Sequence, residues 1–148
     1  MRAIFFAAAL VLAACSAPEP GALEVRDAWV APTPNGVDVA AGFLTIANPS
    51  NEPDRLLAAS SPRAARVEVH EMTMTDGVMQ MRRVDALAIA ANGEAVLAPG
   101  GAHLMFYGVT QPFVEGEEIG VQLTFEHAGA VNVTLPVRNQ LTGRGGGH

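Results

Sequence analysis

The chain contains one cysteine, Cys15, and no lysine; all nine of its basic residues are arginines. With a single cysteine there is no second thiol for a disulfide or for a pair of thiolate ligands. Charged residues make up only 16% of the sequence and the net charge is −6. An acidic chain without basic clusters has nothing to hold nucleic acid, and it has no electrostatic grip on anionic lipid. Aromatic residues are scarce, with one Trp and one Tyr. The N-terminal apolar run, Ala3 to Leu12, is far shorter than the ~20 residues of a membrane-spanning helix. No Ser/His/Asp set, paired carboxylates or nucleotide motif can be placed, so an enzyme is not expected.

The start of the chain reads as an export signal. Met1 and Arg2 precede the apolar run, and Leu12-Ala13-Ala14-Cys15 ends it with small residues and a cysteine. That ending resembles a bacterial lipobox, in which the cysteine becomes the lipidated first residue of the mature protein. The expectation is a signal peptide over 1–14, with lipidation at Cys15. Residues 15–22 then form the anchor and a Pro/Gly-containing tether, and the membrane is reached only through the lipid. The tail 139–148, ending Gly145-Gly146-Gly147-His148, is expected to be disordered.

Between these ends, residues 23–138 read as one domain. Apolar-rich runs recur at Leu23–Ala31, Val37–Ala47, Arg55–Ser60, Ala65–Met74 and Val78–Val84. They continue at Leu87–Ala91, Glu94–Ala98, Ala102–Gly108, Ile119–Glu126 and Ala130–Val137. Turn residues separate them, notably Asp76-Gly77, Asn92-Gly93 and Pro99-Gly100-Gly101. No stretch carries a long, capped helical period. The prediction is an all-β barrel or sandwich with Greek-key connections.

Four of the six methionines fall in His70-Glu71-Met72-Thr73-Met74-Thr75-Asp76-Gly77-Val78-Met79-Gln80-Met81. Asp76-Gly77 is a strong two-residue hairpin signal. A hairpin of that form sets Met74 opposite Met79 and Met72 opposite Met81. It also gathers His70, Met72, Met74, Met79 and Met81 on one face. His70 is then diagonal to Met81, at the ~7–8 Å that long side chains can bridge. Later, His103 and Met105 flank Leu104, so on a strand they share a face while Leu104 and Phe106 point into the core. Two His–Met pairs on strands can converge on one ion. Thioether sulfur is soft and neutral, suits Cu(I), and binds hard cations poorly. Blue-copper electron transfer requires a Cys ligand, and the one cysteine is at the anchor. Met is also common core filler, so Met72, Met74 and Met79 stay open between ligand and packing. Trp29 reads as a core residue, and His127 as structural or exposed.

The spacing His70, ten residues, Met81, twenty-one residues, His103, one residue, Met105 resembles the signature of the PCuAC-type periplasmic copper chaperones. Asp27-Ala28-Trp29-Val30, Gly42-Phe43-Leu44-Thr45-Ile46 with Asn48, Val67-Glu68-Val69-His70-Glu71 and Pro99-Gly100-Gly101-Ala102-His103-Leu104-Met105 are similar to family segments, in family order. The resemblance implies a cupredoxin-like fold. It implies Cu(I) held by His70, Met81, His103 and Met105; Met72 and Met79 fall outside the matched spacing and stand only as candidate auxiliary donors. It further implies delivery toward the CuA centre in subunit II of a haem–copper oxidase, beside Sco-type thiol proteins. Location on the periplasmic side as an anchored lipoprotein follows, and Ser16 after Cys15 favours the outer membrane by the same analogy. A copper buffer without a dedicated acceptor would use the same site. A non-metal β-sandwich scaffold lipoprotein would bind no Cu(I).

Overall fold

The computed structural model describes residues 22–139. The signal segment, Cys15, nearly all of the tether and almost the whole tail lie outside the described residues. Among the described residues the secondary structure is entirely β. The strands are β1 (Glu24–Val30), β2 (Val39–Asn48), β3 (Asp54–Ser60), β4 (Ala64–Thr75), β5 (Val78–Arg83), β6 (Leu87–Ile89), β7 (Gly93–Leu97), β8 (His103–Val109), β9 (Glu118–Phe125) and β10 (Gly129–Pro136).

Strands form here because apolar residues recur at period two. In β9, Ile119, Val121, Leu123 and Phe125 are buried while Glu118, Gly120 and Gln122 are exposed. Seven strands follow one path in the order β1-β2-β8-β4-β3-β9-β10, with β5 added to β4, β6 to β3 and β7 to β2. A parallel bridge between Val30 and Val137 joins the two ends of the path. The Arg138 N–H donates to Val30 O at 3.1 Å across the same seam. Closure removes the open edges that a flat sheet would expose. The result is a single-domain β-barrel in which strands distant in sequence, such as β2 with β8 and β3 with β9, lie side by side.

The inward faces bury Leu44, Ile46, Leu56, Leu104, Phe106, Ile119, Leu123 and Leu135 in one continuous core. Phe106 packs edge-on against Phe113 with ring centroids 5.6 Å apart. Gly42 makes room for it: a Cβ there would lie 2.9 Å from the Phe106 ring.

Trp29 does not join this core. Asp27 adopts φ 52°, and the β1–β2 register slips between Arg26 and Trp29. Such a bulge shifts the side-chain alternation by one residue. Without it Asp27 would follow Val25 inward; with it Val30 is fully buried and Trp29 pairs with Phe43 on the outer face.

Two buried polar residues, Asn48 and Asp54, tie the loops around the start of β3. Asn48 donates to Glu52 O at 2.7 Å and to Ala90 O at 3.3 Å, and it accepts from the Ser50 amide and hydroxyl. Asp54 accepts from the amides of Arg55, His127 and Ala128 at 2.7, 2.9 and 2.9 Å. Burial works against the Asp54 charge, but the amides of His127, Arg55 and Ala128 outweigh it and hold the pKa below the usual aspartate value. A lowered folded pKa contributes stability that is present above the unfolded pKa of ~3.9 and is lost as pH falls through the folded one. Asp54→Ala should therefore cost about 2–3 kcal/mol at pH 7. The deficit should shrink as pH drops below about 4. Urea unfolding of both proteins across that range measures it, and a gap independent of pH would contradict the assignment.

Candidate metal centre

The site is assembled where β4 changes partner. From Ala64 to His70 this strand pairs with β8, and from His70 to Thr75 it pairs with β5. The hairpin turns at Asp76 and Gly77, both at positive φ, 52° and 77°. That is the backbone a two-residue primed turn requires. Its register sets Met74 opposite Met79, Met72 opposite Met81 and His70 opposite Arg83. Every residue of β5 is exposed, so the hairpin is an arm standing clear of the barrel.

On the barrel body His70 lies directly across from His103 in the β4–β8 ladder. Their rings stack with centroids 5.8 Å apart and planes inclined by 23°. Both are buried, at 7% exposure each, although they sit on the outer face. Val69 and Leu104, the neighbouring ladder pair, point into the core.

Each imidazole is oriented through one nitrogen. His103 Nδ1 lies 3.2 Å from the carbonyl oxygen of Gly101. A carbonyl only accepts, so Nδ1 carries the proton and the neutral ring keeps its lone pair on Nε2. That Nε2 is 3.1 Å from the sulfur of Met81. Two lone-pair donors thus face one point from two different strands.

In His70 the roles of the nitrogens are reversed. Its Nε2 lies 2.9 Å from Glu68 Oε2, with the Tyr107 hydroxyl 3.4 Å away. The His70 hydrogen bond is the main influence lowering the Glu68 pKa; burial opposes it, and Arg66 and Arg83 assist. Glu68 is therefore an acceptor and Nε2–H the donor. His70 Nδ1 is left buried with no hydrogen-bond partner. A bare buried nitrogen is costly, and a metal ion is the partner that suits it. A metal-bound imidazole held by a carboxylate or a carbonyl at its other nitrogen is a recurrent arrangement.

Met105 is half-buried on the same face as His103, opposite Glu68 on one side and Ala41 on the other. Met72 is half-buried beside Met81, and Met79 is exposed further along the arm. His127 is exposed, with Glu126 and Asp54 as its partners. Among the described residues no group of three or more His, Cys, Asp or Glu is placed to hold a metal ion. A metal here needs thioether donors.

Glu68, Tyr107 and the Gly101 carbonyl had no assigned role in the sequence reading. The period-two rule could have flagged Glu68, two residues before His70, and Tyr107, two after Met105. Arg66 donates to Glu68 at 3.0 Å and stands 4.3 Å over the Tyr107 ring. On the other side Trp29 stacks on Phe43 at 4.6 Å, Phe43 is 6.4 Å from His103, and Arg138 lies 5.4 Å over Trp29.

Residues 23–137 match the family described as "Putative lipoprotein LpqE-like". "Putative lipoprotein Lxx21020" of Leifsonia xyli subsp. xyli (strain CTCB07) is 30% identical over 129 residues, covering 84% of this chain and 76% of that protein. Among solved structures, "Copper-bound PCuAC domain from PmoF2" superposes with a TM-score of 0.69 at 23% identity, over 81% of this chain and 95% of that one. "Solution structure of CuI-DR1885 from Deinococcus Radiodurans" gives a TM-score of 0.64 at 27% identity, over 81% and 82% of the two chains.

The hydrogen bonds make a prediction that needs no metal. In the neutral rings His70 should carry its proton on Nε2 and His103 on Nδ1. Glu68→Ala should erase the preference at His70 and leave that at His103. Long-range proton–nitrogen spectra of the imidazoles in mildly alkaline buffer read both tautomers; an Nε2–H form of His103 would contradict the assignment.

Proposed function

The chain belongs to the LpqE-like lipoprotein family and has the barrel of the PCuAC domains, and from that premise we propose that it binds and hands on Cu(I) in the bacterial envelope. It is a binding protein, not an enzyme. The observation that carries this reading is the convergence of His103 Nε2 and Met81 sulfur at 3.1 Å, with the ring of His70, whose Nδ1 is buried and unpartnered, 5.8 Å from that of His103. We assign His70, Met81, His103 and Met105 as the ligands, with Met72 and Met79 as candidate auxiliary donors.

The donor set suits this ion physically. Two neutral imidazoles and two thioethers add no charge, which fits a monovalent soft cation better than a divalent hard one. Outside the cytoplasm thiolates would tend to oxidise, whereas thioethers do not form disulfides. Glu68 and Gly101 hold the imidazoles, so these need no reorganisation on binding. Three proposed ligands stand on the barrel, and Met81 stands on the exposed arm. Release then begins at Met81: an acceptor's ligand forms a bond to Cu(I) as the Met81 bond breaks. The ion stays Cu(I) throughout, so no electron has to move.

The CuA centre of oxidase subunit II, with Sco-type proteins nearby, is the acceptor this reading favours; its support is the match of segments along the whole domain. The family description and the Leifsonia relative, both named as lipoproteins, support lipidation at Cys15 and a place on the periplasmic side. Ser16 favours the outer membrane. Transfer of Cu(I) from the loaded protein to a purified CuA domain tests delivery. Tight binding without transfer would instead indicate a buffer.

Met81→Leu preserves size and apolarity and removes the sulfur. Met81→Leu and Met105→Leu should each melt close to wild type and weaken Cu(I) binding by roughly 100-fold or more. Chelator-competition titrations of the apo proteins measure this; wild-type affinity in Met81→Leu would refute the ligand set. For the anchor, Cys15→Ala should move the protein from the membrane fraction to the soluble periplasm. If both forms fractionate alike, the anchor is not at Cys15.

A further inference from the structure

The β4–β5 arm has two unlike faces. One carries Glu71, Thr73, Thr75, Val78, Gln80 and Arg82; the other carries the cross-strand pairs Met72–Met81 and Met74–Met79. Packing does not explain the second face. Met74, Met79 and Met81 are 65%, 48% and 50% exposed, and every residue of β5 is exposed. Apolar side chains left in water forgo about 25 cal/mol for each Å² they would otherwise bury. Core filler would sit under other residues, yet these thioethers face solvent.

We infer that Met74 and Met79 form a second, weaker Cu(I) site at the tip of the arm, through which ions enter and leave the main centre. This rests on the reading of that centre as a Cu(I) site. Side chains directly opposite on paired strands have Cβ atoms ~5 Å apart, within reach of two flexible Met side chains meeting on one ion. Two thioethers without imidazole make a weaker donor set than the main centre, which suits capture and release. The Met72–Met81 pair comes next on the same face, about 7 Å along the strands. Met81 in turn touches His103. The ion passes by ligand exchange: one copper–sulfur bond forms as another breaks, and the ion stays Cu(I) throughout. The hairpin turn holds the tip pair in register, because Asp76 and Gly77 both adopt the positive φ that a primed turn needs.

The test uses the full-length protein, titrated anaerobically with Cu(I) against chelators of graded strength. Stopped-flow transfer of bound Cu(I) to a bulky chelator supplies the rate. Wild type should take up a second, weaker equivalent. The variant Met74→Leu, at a residue outside the main donor set, should lose that equivalent and keep the tight one within about twofold. It should release copper roughly fivefold or more slowly. Its apo melting should match wild type, since the exchanged side chain is exposed. A second equivalent retained by Met74→Leu, or an unchanged transfer rate, overturns the proposal and leaves the methionine face as a bare apolar strip or a protein-docking surface. Met81→Leu keeps the two readings apart. It should abolish the tight equivalent and spare the weak one; if it spares the tight one, the main-site assignment fails, and Met74→Leu still reports on the tip.

Discussion

The alternation of side chains along β4 and β8 is the constraint on which the site depends. Val67 and Val69 on β4, with Leu104 and Phe106 on β8, are buried in the core. The residues between them, Glu68, His70, His103 and Met105, are thereby sent to the outer face, where His70 and His103 pair. A slip of one residue would drive both imidazoles inward and turn four core side chains out to water. Each of those side chains contributes about 1.5–3 kcal/mol by burial, so the core holds the register against any preference of the site residues themselves. The separation of the histidines is a by-product of apolar packing on the other side of the sheet.

Rigidity is distributed unevenly around this pair. The histidines are held from below by the sheet and from the side by the Glu68 carboxylate and the Gly101 carbonyl. Trp29 and Phe43 wall one flank, and Tyr107 under Arg66 walls the other. Met81 belongs to a strand with no buried residue. Segments with few buried contacts open at low cost in free energy. The proposed centre, with fixed imidazoles and one thioether on a loosely held arm, needs no prior rearrangement to bind and can still be opened from outside. That combination suits carrying an ion better than storing it.

Much of the architecture was legible because it is local. Ten apolar runs broken by turn residues became ten strands with ends shifted by a residue or two. The Asp76-Gly77 turn dictated the register of the arm, and hence which methionines oppose each other, since a two-residue primed turn leaves little choice. Trp29 was misread for an equally local reason. An aspartate in a strand gave no warning that it would take a left-handed backbone and shift the alternation. Glu68 sits at the same-face spacing from His70, but spacing does not say that its carboxylate turns toward the ring.

The sequence by itself determined the donor chemistry: two histidines and several thioethers, with the one cysteine far away at Cys15. Period-two spacing also determined which neighbours share a face. Strand spacing allowed two His–Met pairs to converge on one ion; likeness to a family singled out His70, Met81, His103 and Met105 as that set. Only the tertiary structure decided that His70 meets His103, because β4 and β8 are joined by ladder contacts between residues more than thirty positions apart. No local rule specifies such a pairing; closure of the barrel around its core does. The tertiary structure also decided which nitrogen of each histidine is bare. That depends on where Glu68 and the Gly101 carbonyl come to rest, and hydrogen-bond geometry exists only once the strands are paired.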